Sequence, residues 1–166
     1  MIRVLVHNIR SVENVGAIFR TSEGFGVDKI YLSGCTALAK EELPHLEMKL
    51  RRKLAKTALG AEEMVSFERL GDDFKSIRVM ISELKREVFV IVGLENNIQK
   101  KTVKLPDFRP SENEKILLVI GEEVNGICDE LMELVDVFVE IPMVGQKESF
   151  NVSVATGIAL YQLTNG

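Results

Sequence analysis

The amino-acid sequence predicts an α/β fold, a mostly parallel sheet with helices on both faces. Short runs rich in β-branched residues alternate with longer runs of helical period, which is the order that a covered parallel sheet produces. Three of the short runs, "VFVIVG", "KILLVIG" and "VFVEIP", are apolar almost throughout, as strands buried on both faces are. At 166 residues and 46% hydrophobic, the chain can build one compact core and is short for two. A single domain over residues 1–166 is therefore expected.

Taken in order, strands are expected at Ile2 to His7, Lys29 to Leu32, Met64 to Phe67, Val88 to Leu94, Lys115 to Gly121 and Val137 to Ile141. Helices are expected between them at Glu13 to Phe25, Pro44 to Leu59, Gly71 to Arg86, Cys128 to Val135 and Ser149 to Leu163. Ser149 is the N-cap candidate of the last helix, with Asn151 in its first turn. The segment from Asn96 to Glu114 is polar, holds two of the four prolines and reads as a mobile loop. No repeat or low-complexity tract interrupts this order.

Three strands end on Gly93, Gly121 and Pro142. In parallel orientation those ends fall along one edge, where open α/β sheets bind ligands. Simple punctuation of strand ends by Gly and Pro is the alternative.

Composition narrows the function classes. Cys35 and Cys128 stand alone, so neither a disulfide framework nor a zinc ribbon is suggested, and a reducing cytoplasm fits. No apolar run approaches the length of about 20 residues that a membrane span needs. No HxxH, HExxH or Cys/His cluster is present, so no metal site is expected, and His7 and His45 read as structural or surface residues. A net charge of −4 and a pI near 5.4 argue against a general nucleic-acid coat. Any nucleic-acid contact must be made by a local patch.

Four stretches carry candidate chemistry. In "ENVGAIFRTSEGFG", the helical wheel puts Val15, Ile18, Phe19, Ser22 and Phe25 on the sheet-facing side and Arg20 opposite, among Gly16, Ala17, Glu23 and Gly24. Each interior glycine costs roughly 0.5–1 kcal/mol relative to alanine. The bare patch around Arg20 thus points to close approach by a partner subunit or a phosphate, against the alternative of a solvated arginine. In "GEEVNGI", Gly121 allows close approach at a strand end, and Glu122 or Glu123 could bind a hydroxyl or a cationic group; complementing a helix dipole is the alternative. In "IPMVGQKESFNVSVATGIALYQL", the helix has no polar face, which calls for a second subunit or for packing within one chain. Finally "LEMKLRRKLAK" gathers Lys49, Arg51, Arg52, Lys53 and Lys56, either a phosphate-contacting patch or a solvated face.

The first three stretches, with "LVIGEEVNGI" and "NIRSVENVGAIFRTSEGFGV" in full, resemble in order the motifs of the SpoU-type RNA ribose 2′-O-methyltransferases of the SPOUT superfamily. "KTALGAEEMV" is also similar, and the resemblance thins from Ser66 to Pro110. It implies an α/β domain with a C-terminal trefoil knot, a homodimer with active sites near its interface, and S-adenosyl-L-methionine against Leu94, Gly121, Ile141, Met143 and Ser149. It also implies catalytic-site roles for Asn14, Arg20, Glu123, Ser149 and Asn151. An RNA substrate follows, tRNA before rRNA, contacted by Arg20, Lys49, Arg51, Arg52 and Lys53, with no DNA and no membrane. Phe150 stands where leucine is common, and with the first strand at Met1 no RNA-binding extension is expected. A non-catalytic RNA-binding or assembly protein of the same fold is the alternative function.

Overall fold

The computed structural model describes residues 1–39, 43–96, 98–111 and 113–166. Its strands are β1 (Ile2–His7), β2 (Lys29–Ser33), β3 (Phe67–Gly71), β4 (Phe89–Leu94), β5 (Thr102–Lys104), β6 (Lys115–Ile120) and β7 (Val137–Glu140). The helices are α1 (Val12–Gly24), α2 (Pro44–Ala58), α3 (Ala61–Met64), α4 (Phe74–Arg86), α5 (Asp129–Met132) and α6 (Val152–Asn165), with a 3₁₀ turn at Leu105–Asp107. All the strand pairs are parallel and the order is β3-β2-β1-β6-β4-β7-β5.

Strand side chains alternate between faces, and the central strands are apolar on both. Val4 and Val6 of β1, with Leu118 and Ile120 of β6, join one buried cluster with Val15, Ile18 and Phe19 of α1 and Ala159 and Leu160 of α6. Leu5, Leu117 and Val119 point the other way, to Ile77, Ile81 and Leu84 of α4 and Leu131 of α5. The two layers that this requires are why the central runs lack polar alternation.

Where the structure differs from expectation, local chemistry explains it. The third strand begins three residues later than Met64, because Gly60 at φ 92° turns the chain into the short helix α3. As an edge strand, half-buried β3 carries no continuous apolar run. The following helix starts at Phe74 rather than Gly71, since Gly71 is left-handed and Asp73 caps the helix by accepting from Lys75 N at 2.9 Å. Likewise the cap of α6 is Asn151, which accepts from Ser153 N at 2.9 Å, and not Ser149. The helix expected from Cys128 to Val135 is the single turn α5. The segment from Asn96 to Glu114 contains β5 on the edge of the sheet; its residues 97 and 112 lie outside the described residues.

One of the glycines of α1 also has a different purpose. Gly16 is buried, and a Cβ there would run into Thr57 Oγ1 and lie 2.6 Å from the carbonyl oxygen of Leu54, so the missing side chain makes room for α2 of the same chain. Gly24 faces open space and Gly26 occupies a left-handed turn at φ 66°. Only the outer end of the α1 face remains bare.

Candidate active site at the carboxyl ends of the strands

The carboxyl ends of β4, β6 and β7 lie side by side, and the segments leaving them wall one cleft. Leu94, Glu95 and Asn96 come from β4, Ile120 to Glu123 and Gly126 from β6, and Ile141, Ser149 and Phe150 from the stretch between β7 and α6. Of the residues expected around a cofactor, Leu94, Gly121, Ile141 and Ser149 are in this wall. Met143 is half-buried and outside it.

The strand end at Gly121 is bare for an internal reason. Glu122 and Gly126 exchange main-chain hydrogen bonds of 3.0 and 2.9 Å, folding the chain back tightly. A Cβ on Gly121 would collide with the main chain of Gly126. The clearance that sequence reasoning assigned to a ligand is therefore taken up by this turn, from which Glu122 reaches Arg10 and Glu123 reaches Asn14.

Three residues from three distant segments meet at the mouth of the cleft. Asn14 Nδ2 donates to Glu123 Oε1 at 3.1 Å, and Asn151 Nδ2 donates to Asn14 Oδ1 at 3.2 Å. The main-chain N–H groups of Ser11 and Arg10 add bonds to Glu123 at 3.3 and 3.5 Å. Burial alone would raise the Glu123 pKa, but the hydrogen bonds from its own backbone, Asn14, Ser11 and Arg10 outweigh it and leave the carboxyl below its ordinary value. Glu123 is thus an anchored carboxylate. Next to it, the exposed Arg10 guanidinium pairs with Glu122 at 3.0 Å.

Arg20 is not part of this group. It is exposed and makes no hydrogen bond or ion pair among the described residues. Six residues separate it from Asn14, which on an α-helix is about 9 Å along the axis and about 120° around it. One turn away on the same side of α1 are Gly16, which packs on α2, and Gly24, which faces open space. On the side of α1 toward α6, Phe25 and Tyr161 rings meet edge to face at 6.3 Å, and Tyr161 and Val154 are 60% and 49% exposed. The face of α6 toward α1 is filled within the chain, and the outer face is left uncovered.

On α2, all five cations are exposed, but two are neutralised. Arg51 pairs with Glu47 at 3.0 Å and Lys53 with Glu13 at 3.0 Å. Hydrogen bonds from Arg69 first, then Arg51, bring the Glu47 pKa to about 2. Lys49 and Lys56 make no such bond among the described residues, and Arg52 Nη2 reaches only the sulfur of Met48 at 3.6 Å.

His7 is buried, with Nδ1 at 2.8 Å from Ser33 Oγ, and burial pushes its pKa down; His45 is exposed. The first is held inside the fold and the second lies on its surface. Cys35 and Cys128 are free thiols. No metal-binding group of three or more ligands occurs among the described residues, and none of their helices is long and apolar enough to cross a membrane. Sequence reasoning missed Arg10, Ser11, Glu95 and Asn96. The available signal for the last two was their position, polar residues directly after the apolar strand β4.

These features define an open parallel α/β domain with its ligand cleft at the carboxyl ends of the central strands. The sequence model of the SpoU rRNA Methylase family matches residues 1–161, and the chain belongs to that family. A tRNA (guanosine(18)-2′-O)-methyltransferase of Aquifex aeolicus is 31% identical over 160 residues, covering 96% of this chain and 66% of that protein. The crystal structure of the Aquifex aeolicus TrmH/SpoU tRNA modifying enzyme matches with a TM-score of 0.75 at 27% identity, over 97% of this chain and 72% of that one. The SpoU methyltransferase AviRb of Streptomyces viridochromogenes, solved in complex with AdoMet, has the same fold, with a TM-score of 0.77 at 23% identity over 96% of this chain and 58% of that one. The chain spans 57% to 66% of the length of the curated relatives first matched.

Proposed function

We propose that the chain is an S-adenosyl-L-methionine-dependent methyltransferase that modifies a ribose 2′-hydroxyl in RNA, tRNA before rRNA, and that it works as a cytoplasmic homodimer. The observation that carries this reading is the Asn14–Glu123–Asn151 network, which joins the three family motifs at the mouth of one cleft. The preference for tRNA rests on the activity named for the Aquifex relative.

The donor set fits the cofactor. Leu94, Ile120 and Ile141 give aliphatic walls, while Glu95 and Glu123 place carboxylates that complement a sulfonium cation. Bound there, S-adenosyl-L-methionine supplies the methyl group. The β6-β4-β7 order, with all three following segments in the cleft wall, supports the family's trefoil threading of the C-terminal part as a further element of the proposal.

The remaining work falls to this chain's side chains: aligning the ribose and dealing with the hydroxyl proton. A carboxylate anchored by several donors and held below its ordinary pKa is a weak base, so Glu123 orients Asn14 rather than accepting that proton. Asn14 and Asn151 then present polar groups to the ribose, and Ser149 shapes the cofactor side. Arg20 meets the 2′-hydroxyl and the adjacent phosphate. Since Arg20 points away from the cluster of its own chain, its place is in the site of the second subunit, brought there by pairing of the α1/α6 surfaces. The exposed Tyr161 and Val154 and the open space at Gly24 favour that pairing.

The test is transfer of label from methyl-labelled S-adenosyl-L-methionine to bulk tRNA and rRNA, with the modified nucleotides mapped. Ribose 2′-O-methylation of tRNA is expected. Cofactor binding by calorimetry with no label in either RNA would point instead to the non-catalytic RNA-binding reading.

A further inference from the structure

β4 lies between β6 and β7 in the sheet, so the residues that follow it touch both neighbouring segments of the cleft. Main-chain pairing between β4 and β7 runs from Val92↔Val137 to Leu94↔Val139, with one more bond from Glu95 N to Val139 O at 3.0 Å. There the ladder stops, and a side chain continues it. Asn96 Nδ2 donates to Ile141 O at 2.8 Å and Asn96 Oδ1 accepts from Ile141 N at 3.0 Å, the two-point pattern of a peptide group in a sheet. The same Nδ2 also donates to Glu148 O at 3.3 Å. Ile141 begins the irregular stretch after β7, and Glu148 immediately precedes Ser149. One carboxamide thus closes the neck of that stretch at both ends.

Resting on the cofactor reading above, we infer that Asn96 is a positioning residue for the cofactor. Its side-chain amide staples residues 141 and 148 together and so fixes Ile141 and Ser149, which line the cleft on either side of the stapled segment. Apart from the staple, no hydrogen bond or ion pair among the described residues holds residues 142–148. Most of them are exposed, Val144 fully so, and contribute little packing of their own. Closing such a segment costs entropy, which falls on cofactor binding if the fold does not supply the closure beforehand. Glu95 acts on the opposite side, where its Oε2 accepts from Ile127 N at 2.8 Å, so the two consecutive residues after β4 brace both walls.

The experiment compares wild type, Asn96→Ala and Asn96→Asp as full chains. It reads cofactor affinity by calorimetry, RNA affinity, steady-state kinetics and amide hydrogen exchange across residues 142–148. In Asn96→Ala, loss of these bonds is expected to raise the Kd and KM for S-adenosyl-L-methionine about tenfold or more. RNA affinity should be unchanged, kcat within about threefold, and exchange in 142–148 faster before cofactor is added. Asn96→Asp keeps the acceptor for Ile141 N and loses both donations to carbonyls, so it shows the same split and decides the question if the alanine variant does not fold. Cofactor affinity equal to wild type, or an equal loss of cofactor and RNA affinity, overturns the assignment. If the wild type itself binds no S-adenosyl-L-methionine, the cofactor reading fails instead; unchanged exchange in 142–148 would then still refute the staple.

Discussion

Asn14 donates its side-chain amide to Glu123 at 3.1 Å across 109 positions of sequence, and so ties the first turn of α1 to the turn that follows β6. Because Asn14 also accepts from Asn151, this single side chain couples three segments of the cleft mouth. Glu123 is the fixed point of the arrangement.

Glu123→Gln removes one acceptor oxygen and sets an NH₂ group against donors. It is expected to lower stability by about 1–2 kcal/mol, in the lower part of the range for hydrogen bonds to a charged group because the site is open to water. Methyl transfer to RNA should fall by about tenfold or more as Asn14 loses its orientation. The stability effect has a defined pH dependence. With the folded pKa below the ordinary 4.5, the unfolded chain binds the proton first, so the contribution of Glu123 is present above that value and is lost as pH falls through the depressed one. Paired thermal melts should show the largest gap between wild type and variant at neutral pH and a closing gap in acid. A gap independent of pH would mean that the carboxylate charge contributes nothing.

Gly16 and Gly24 make opposite predictions from the same helix. Gly16→Ala pushes a methyl group against the main chain of α2, where Leu54 O would lie at 2.6 Å and Ala58 N at 3.1 Å, so a loss of about 1–3 kcal/mol is expected. Gly24→Ala meets nothing within 4 Å and is expected to be neutral or to gain up to about 1 kcal/mol. Denaturant midpoints of the two variants measure this, and an equal response would show that α1 and α2 are not packed as described.

These two glycines also mark how far the sequence could be read. The helical wheel correctly separated the buried Val15, Ile18 and Phe19 from exposed Arg20, since that depends on period alone. It could not say what covers a bare position, and for Gly16 the cover is α2. The central strands were legible because both of their faces are buried; β3 was placed three residues early and β5 was missed, because edge strands carry no such run. Asn14, Glu123 and Asn151 were reached through the family motifs, without which their convergence had no local signal. Asn96 escaped notice since its partner is 45 positions away and a polar residue after a strand looks like any loop residue.

The cations of α2 divide into two classes. Arg51 and Lys53 already face Glu47 and Glu13, whereas Lys49 and Arg52 have no carboxylate partner among the described residues. If the helix contacts RNA phosphates, Lys49→Glu with Arg52→Glu should weaken binding more than Arg51→Glu with Lys53→Glu. The salt slope should fall by about 2 in the first pair. Filter binding over a salt series, with cofactor affinity as control, makes the measurement. Unchanged RNA affinity in both pairs would identify the helix as a solvated face.

Arg20 yields the most discriminating prediction, because it is exposed and stands about 120° around α1 from Asn14. If it serves the cluster of the second subunit, Arg20→Ala and Asn14→Ala are each inactive as pure proteins, and mixing them restores activity. In a mixed dimer one cluster is intact and faces an intact Arg20, while the other site lacks both. Random exchange of equal amounts makes half of the dimers mixed with one working site each, so recovery of about a quarter of wild-type activity is expected. If Arg20 acts within its own chain, every site in the mixture lacks one residue and nothing is regained. Sedimentation and cofactor calorimetry on each variant confirm that both proteins still pair and bind. Recovery that rises with the mixed fraction establishes the shared site, and a flat line at zero with intact dimers rules it out.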